Sequence, residues 1–467
     1  MDSAEEQTNN GLAGKCFFLV TLGCFRNEVE SDVLRTELVR LGLVETGSHE
    51  QCDVVLVNTC GFIRDACEEG IDTILELDSL LSELEARPPI IVVGCMGERY
   101  GAGLLSAMPE VSCVLGAGWA GSLGEVIAGA LSGRRFAPES GSVSAAIRAT
   151  ARSVDSSEGG TLLVRVADGC DRACAFCTIP AIRGRYSSRP VDEILAEIRL
   201  LAGGRDREVV LLAQDLTSYG KDRPDGSSLP MLVEAVASLD RVRWLRLLYL
   251  QPEGVTPELV DAVAGNPRVC DYFDIPFQHA GDRVLKRMGR PGNAGVYMDL
   301  IESIRIACPD AALRTTLMVG YPGETDDDFA GLMEFVDRAR FDWMGAFCYS
   351  REEGTKAADL GGAVPQAVAV ERYGKILELQ DSIEAARAAE FVGRRLEVLV
   401  DGASETPGYD LVGRSYREAP VVDGVVYLKI PGGVSPKASP GIFIDATITG
   451  QEGLDLVGEV RSAGEHG

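Results

Sequence analysis

Three thiols, Cys170, Cys174 and Cys177, stand at spacing C-x3-C-x2-C directly after the apolar run Leu162-Leu163-Val164-Arg165-Val166. A thiolate is a soft ligand that suits zinc or an iron–sulfur cluster. Three of them from one loop can hold three corners of a cluster. A four-iron cluster normally takes four thiolates, so one iron is left for chemistry. A zinc site would show a second C-x2-C or a histidine pair, and neither follows here. Three further cysteines repeat one placement. Cys24, Cys60 and Cys95 each fall just past a short apolar run: Phe17-Phe18-Leu19-Val20, Val54-Val55-Leu56-Val57 and Ile90-Ile91-Val92-Val93. If those runs are neighbouring strands about 4.8 Å apart, their ends can converge on a second cluster, again with one iron open. The other seven cysteines, Cys16, Cys52, Cys67, Cys113, Cys270, Cys308 and Cys348, share no such pattern and read as structural.

The elements that must carry these thiols follow from hydrophobic period. The three N-terminal runs alternate with helical stripes, Val29, Val33, Leu34, Leu38 and Leu41, then Ile71, Ile74, Leu75, Leu77 and Leu81. Short buried strands alternating with helices predict a doubly wound parallel sheet, to which Val111–Leu115 adds a strand. Ligands of such sheets gather at the carboxyl ends of the strands. A Ser-, Ala-, Gly- and Arg-rich stretch, 133–160, reads as a linker. From Thr161 six strand–helix units follow, with strands expected at 162–168, 209–213, 244–249, 272–275, 313–319 and 343–347. Polar residues crowd their ends: Gln214-Asp215, Gln278-His279, and the turn Gly320 to Thr325, where Thr325 is placed to cap a helix. Residues 391–460 change to short strands between Gly and Pro turns, 396–400, 425–430 and 446–449, and predict a small antiparallel β-barrel.

Composition bounds the function. The 467 residues are 46% hydrophobic and 25% charged, as in ordinary globular proteins. No run of about 18 apolar residues could cross a bilayer, and the acidic first residues do not resemble a signal peptide, so the expected compartment is cytoplasmic and no membrane partner is expected. Thirteen cysteines in such a chain argue for metal or catalytic use. Three histidines supply little acid–base chemistry. The formal net charge of −26 repels naked RNA and attracts a basic protein.

The C-x3-C-x2-C loop with Phe176 before its last cysteine resembles the signature of radical S-adenosylmethionine (SAM) enzymes. The whole order resembles the radical SAM methylthiotransferase family: an N-terminal domain with an auxiliary cluster (15–132), the linker 133–160, a partial (β/α)6 radical SAM barrel (161–390) and a TRAM-like β-barrel (391–460). One branch of that family modifies adenosines in transfer RNA. The other modifies an aspartate of small-subunit ribosomal protein twelve. Several stretches are similar to the second branch: Asn58 to Ile63, Ile182-Arg183-Gly184-Arg185-Tyr186, Tyr349 to Thr355, and Arg414-Ser415-Tyr416-Arg417-Glu418-Ala419-Pro420. Val421 departs from it, where those sequences more often carry Glu.

The resemblance implies two [4Fe-4S] clusters, on Cys170, Cys174 and Cys177 and on Cys24, Cys60 and Cys95, with SAM contacted by Phe176, Gln214, Asp215 and Gln278. It implies reductive SAM cleavage, sulfur insertion at an aspartate β-carbon and methyl transfer. The partners it implies are ribosomal protein twelve, on the ribosome, and reduced flavodoxin or ferredoxin. The acidic C-terminal barrel, with Asp410, Glu418 and Asp423, is expected to face the basic partner. The alternatives are a transfer-RNA adenosine methylthiotransferase and a non-catalytic iron–sulfur RNA-binding or electron-transfer protein.

Overall fold

The structure is a computed structural model and describes residues 11–119, 123–138, 152, 160–431 and 439–461. Most of the expected linker, 139–151 and 153–159, lies outside the described residues.

The N-terminal sheet runs β1 (Cys16–Thr21), α1 (Phe25–Arg40), β2 (Val44–Glu45), β3 (Val54–Thr59), α2 (Arg64–Leu81), β4 (Ile90–Gly94), α3 (Cys95–Ala107), β5 (Val111–Val114) and α4 (Leu123–Leu131). Its strand order is β2-β1-β3-β4-β5, and every pairing is parallel. The strands are buried on both faces. Leu56, Ile91 and Val93 pack with Leu34, Leu38 and Ile127 on one side. Val55, Val57 and Val92 pack with Ile74, Leu77 and Leu81 on the other. The expected doubly wound sheet is therefore present. Leu75 leaves the expected stripe and is exposed, because the buried face of α2 runs through Ile74, Leu77 and Leu81 at helical spacing.

The central region runs β6 (Thr161–Arg165), β7 (Ala167–Asp168), α5 (Ile179–Arg183), β8 (Ser187–Ser188), α6 (Val191–Ala202), β9 (Arg207–Leu212), α7 (Leu229–Ala237), β10 (Val242–Leu247), α8 (Pro257–Ala264), β11 (Tyr272–Asp274), α9 (Asp282–Met288), α10 (Ala294–Ala307), β12 (Ala312–Val319), α11 (Asp326–Ala339), β13 (Trp343–Cys348) and α12 (Gln366–Ala389). Two parallel sheets, β10-β9-β6 and β11-β12-β13, are joined at Leu245–Val269 and by Leu250 N–H donating to the Asp274 carbonyl at 2.9 Å. Six strands thus follow chain order, open between β6 and β13. The expected strand 162–168 splits in two. β6 stays in the sheet, while β7 turns away to pair antiparallel with β8. Thr325 caps α11 in a capping box with Asp328, as its sequence position predicts.

The C-terminal barrel closes in the order β14-β15-β16-β18-β17, with β14 (Arg395–Ala403), β15 (Leu411–Arg414), β16 (Val426–Lys429), β17 (Phe443–Glu452) and β18 (Asp455–Val460). The barrel is not wholly antiparallel: β16 and β18 pair in parallel. Two of its strands, β15 and β18, have no counterpart among the expected ones, since Gly413 and Gly458 interrupt their apolar alternation.

The inner face of the central barrel is filled from both ends. Leu163, Val210, Leu212, Trp244, Leu248 and Tyr272 face inward. Phe25 and Val29 of α1 join them from one side, and Leu399 and Ala419 from the C-terminal barrel. The segment after β15 forms a plug. Arg246 donates to the carbonyls of Tyr416 and Ser415, and the Trp343 indole donates to the Arg417 carbonyl at 2.6 Å. This overturns the expected outward role of two acids. Glu418 is 1% exposed and accepts from Ser415. Asp423 is buried against Arg314 at 3.0 Å and Tyr272 at 2.6 Å. Both are held by donors of their own chain. Among the three acids named for docking, Asp410 alone is exposed.

Candidate active site

Both cysteine triads stand at carboxyl ends of parallel strands. Cys24 follows β1 as the N-cap of α1, Cys60 follows β3, and Cys95 follows β4 as the first residue of α3. The backbone N–H groups at the starts of α1 and α3 favour a thiolate there. The loops carrying Cys24 and Cys60 are in close contact. At Gly23, with φ +102°, an added Cβ would lie 2.8 Å from the Cys60 Cβ, so only glycine permits the approach. Cys60 feels the charge of Cys95, Cys24 and Cys67, and burial pushes its thiol up to about 12. Cys67, read as structural, packs beside this group, near the Cys60 carbonyl and the Tyr100 hydroxyl.

The second loop is as tightly specified. Gly169 has φ +75°, and a Cβ there would collide with the Arg185 carbonyl. Cys170 N–H donates to the Gly184 carbonyl, Ala175 N–H to Met288, and Ala357 N–H to Ala175. Arg290 Nη1 lies 3.8 Å from Cys174 Sγ. Burial pushes the Cys177 thiol up to about 12, with Cys174 and Cys170 adding to the shift. Thiols with such values keep their protons until a metal's charge expels them.

Among the described residues, no three His, Cys, Asp or Glu side chains close up around a single metal ion. A four-iron cluster takes each thiolate on a separate iron, and two triads of neighbouring thiols at strand ends fit that donor set.

The expected SAM-contacting residues meet different fates. Gln214 Nε2 donates to Asp168 at 2.9 Å, while its Oε1 is buried without a partner. Gln278 has φ +69°, strain that concentrates at functional sites, and its Oε1 is also buried and unpartnered. Gln251, after β10, repeats the pattern and is not singled out by the sequence. Three consecutive strand ends, β9, β10 and β11, thus present orphaned amide oxygens. A ligand bearing N–H and O–H donors, as SAM does, fits them. Phe176 is half-buried against the central core. Asp215 is committed within the protein: it accepts from Arg172 at 2.6 Å, Thr217 at 2.5 Å and Ser218 at 2.7 Å. Arg172 also pairs with Glu253, so Asp215 fixes the cysteine loop. His279 Nδ1 accepts from Gly281 N–H at 2.8 Å, and burial lowers its pKa to about 4, leaving a neutral ring.

The two triads are physically joined. Thr178, next to Cys177, donates to the Phe62 carbonyl at 3.1 Å, two residues beyond Cys60. Arg26, two residues beyond Cys24, pairs with Asp168, which also accepts from Gly169 N–H beside Cys170. Tyr249 lies within the electrostatic reach of Cys24. It has φ +62°, donates its N–H to Asp274 at 2.9 Å, and has its pKa raised by burial with Cys24 as the next cause. The signal for these buried polar residues in the sequence is faint, because α1 buries Arg26, Asn27, Glu30, Ser31, Asp32 and Glu37 among its apolar residues.

Three family descriptions match the chain in succession: "Uncharacterized protein family UPF0004" over residues 16–116, the radical SAM superfamily over 164–336, and the TRAM domain over 392–460. Among solved structures, the radical SAM methyltransferase TsrM from Kitasatospora setae, determined with cobalamin and a [4Fe-4S] cluster, superposes with a TM-score of 0.54. It is 14% identical and the match covers 74% of this chain and 77% of that one, a likeness of fold. Curated relatives are far nearer. The ribosomal protein uS12 methylthiotransferase RimO of Geobacter sulfurreducens is 38% identical, over 95% of this chain and 98% of its own. That of Moorella thermoacetica is 40% identical over 95% and 99%. With that identity over nearly the full length of both chains, and with two cysteine triads meeting at the strand ends, the protein belongs to the RimO family of radical SAM methylthiotransferases.

Proposed function

We propose that this protein adds a methylthio group to the β-carbon of an aspartate in ribosomal protein uS12, and that the two cysteine triads hold the two [4Fe-4S] clusters this requires. The observation that carries the reading is the direct linkage of two triads at strand ends, in a chain 38% to 40% identical to RimO proteins along its length. When bound, the clusters and SAM supply one-electron chemistry, a hydrogen-abstracting radical, sulfur and a methyl group. The chain's own residues bind and orient. Gln214, Gln251 and Gln278 offer acceptors to SAM, Phe176 offers an apolar face, and Asp215 holds the Cys170 to Cys177 loop through Arg172. Phe25 and Val29, packed into the barrel, exclude water beneath Cys24. A reduced flavodoxin or ferredoxin is the proposed electron donor and the cytoplasm the proposed compartment. Among the described residues no helix is long and apolar enough to cross a membrane.

The proposed domain division at 132, 161 and 391 is supported by gaps between strands, from Val114 to Thr161 and from Cys348 to Arg395. The C-terminal barrel still offers Glu405, Asp410, Asp445, Glu452 and Glu459 to a basic partner, as exposed acids. The test is mass spectrometry of uS12 and of digested transfer RNA from cells lacking the gene. Loss of a methylthio mass from uS12 is expected. Its loss from a nucleoside alone would reverse the assignment to the transfer-RNA branch.

A further inference from the structure

Between the two triads lies a buried cluster of charge. Arg26, Arg165 and Arg183 face Glu30 and Asp168, and each of the five is less than a tenth exposed. Arg183, the arginine of the Ile182-Arg183-Gly184 motif, is at the centre. Its Nη1 pairs with Glu30 Oε1, its Nη2 donates to Glu30 Oε2 at 3.0 Å, and the same Nη2 lies 2.7 Å from Cys95 Sγ. Arg165 reaches Glu30 at 3.3 Å and Asp168 at 3.9 Å, and Arg26 pairs with Asp168. Three guanidinium groups are thus set against two carboxylates. An unmatched buried cation is costly. The sulfur that Arg183 meets directly is Cys95 Sγ, and as a cluster ligand that sulfur would bring a negative charge to face the excess.

Hydrogen bonds to cluster sulfurs and net local charge are the protein's levers on a cluster's potential. We propose that Arg183 is a positioning residue for the auxiliary cluster, its guanidinium holding the Cys95 thiolate by charge and by hydrogen bond and so raising that cluster's reduction potential. Glu30 aims the guanidinium from behind. Through Arg26 and Asp168 the same network reaches Gly169, beside Cys170, so this arginine lies between the ligand loops of both triads.

The inference rests on the reading that Cys24, Cys60 and Cys95 hold a cluster, and the experiment separates the two. In full-length protein carrying Cys170→Ala, Cys174→Ala and Cys177→Ala, anaerobic reconstitution should load about four irons; no iron would sink the cluster reading itself. In that background the midpoint potential is followed by EPR-monitored titration. Arg183→Gln should shift the reduction equilibrium about tenfold toward the oxidised cluster, a fall of about 59 mV for one electron. Arg183→Lys, which keeps the charge, should shift it less, and Glu30→Gln should shift it the opposite way. Arg183→Gln with Glu30→Gln removes both buried charges together and guards against misfolding; its potential should still fall. Iron-loaded Arg183→Gln and double variants with unchanged potentials would overturn the proposal. So would loss of the apo-protein's thermal transition in both, which would assign Arg183 to the fold alone.

Discussion

Glu384, in α12, is a buried acid whose hydrogen-bond donors are neutral and whose nearest charges, Asp381 and Asp423, are acids. It is 7% exposed and accepts from Gln380 Nε2 at 2.9 Å and Met344 N–H at 3.1 Å. Burial is the main cause that raises its pKa to about 7, and those donors only partly offset it. A carboxyl whose pKa is higher folded than unfolded contributes stability below the unfolded value, near 4.3, and loses it as pH rises through the folded one. Glu384→Gln keeps the acceptor and cannot ionise. Its stability in thermal unfolding should match the parent's near pH 4.5 and exceed it at pH 8, by on the order of 1–3 kcal/mol. An equal gap at both pH values would contradict this. Asp215 illustrates the same scale differently: its strand-end position is that of a ligand contact, yet Arg172, Thr217 and Ser218 occupy its oxygens.

At the scale of the element, the segment Ser415 to Asp423, which follows Arg414 at the end of β15, is neither strand nor free loop. Its polar groups, and that arginine, are spent inside the protein: Arg414 pairs with Glu208 at 2.8 Å and Asp401 at 2.9 Å, and Glu418 accepts from Ser415. The cost of the turn shows at Val421, which has φ +65° and is 87% exposed. A β-branched side chain in the left-handed region costs roughly 1–2 kcal/mol, and nothing packs on this one to repay it. Val421→Asn should therefore stabilise the protein by about 1 kcal/mol in thermal unfolding; a lowered midpoint would mean that the side chain is held. β7 shows a related effect. Val166 and Ala167 continue the apolar run of β6, but the pairing of β7 with β8 and the turn at Gly169 carry the chain out of the sheet and into the cysteine loop.

At the scale of the molecule, three sheets share one interior. Glu208 receives Arg246 at 2.6 Å and Arg414 at 2.8 Å, with all three side chains buried. Those two arginines hold its carboxyl down at about 2 despite burial. Trp244 meets Phe443 edge-on at 5.0 Å. The C-terminal barrel is thus fastened to the core, and what it can present to a partner is its outer face. Glu405→Lys, Asp445→Lys and Glu459→Lys together should weaken binding to a strongly basic ribosomal protein by more than about tenfold at low salt, and less at high salt. SAM cleavage should be unaffected. Undiminished binding would remove the barrel from docking. Changes at Glu418 or Asp423 would instead unfasten the barrel, and a loss of binding there would say nothing about the outer face.

The sequence alone determined the parts that are local. Strand–helix alternation follows from hydrophobic period, so the parallel sheets, the closing barrel and the strand-end positions of the cysteines were readable. Spacing within one loop fixed Cys170, Cys174 and Cys177 as a group, and repeated position did so for Cys24, Cys60 and Cys95. Tertiary structure decided everything that depends on which distant side chains meet. Only folding brings Arg183 to Cys95 and Arg26 to Asp168, across 88 and 142 residues. Formal charge counted Glu418 and Asp423 as surface, whereas packing gave each of them donors and a buried place. Charge is a property of the residue. Whether water or a guanidinium balances it is a property of the fold.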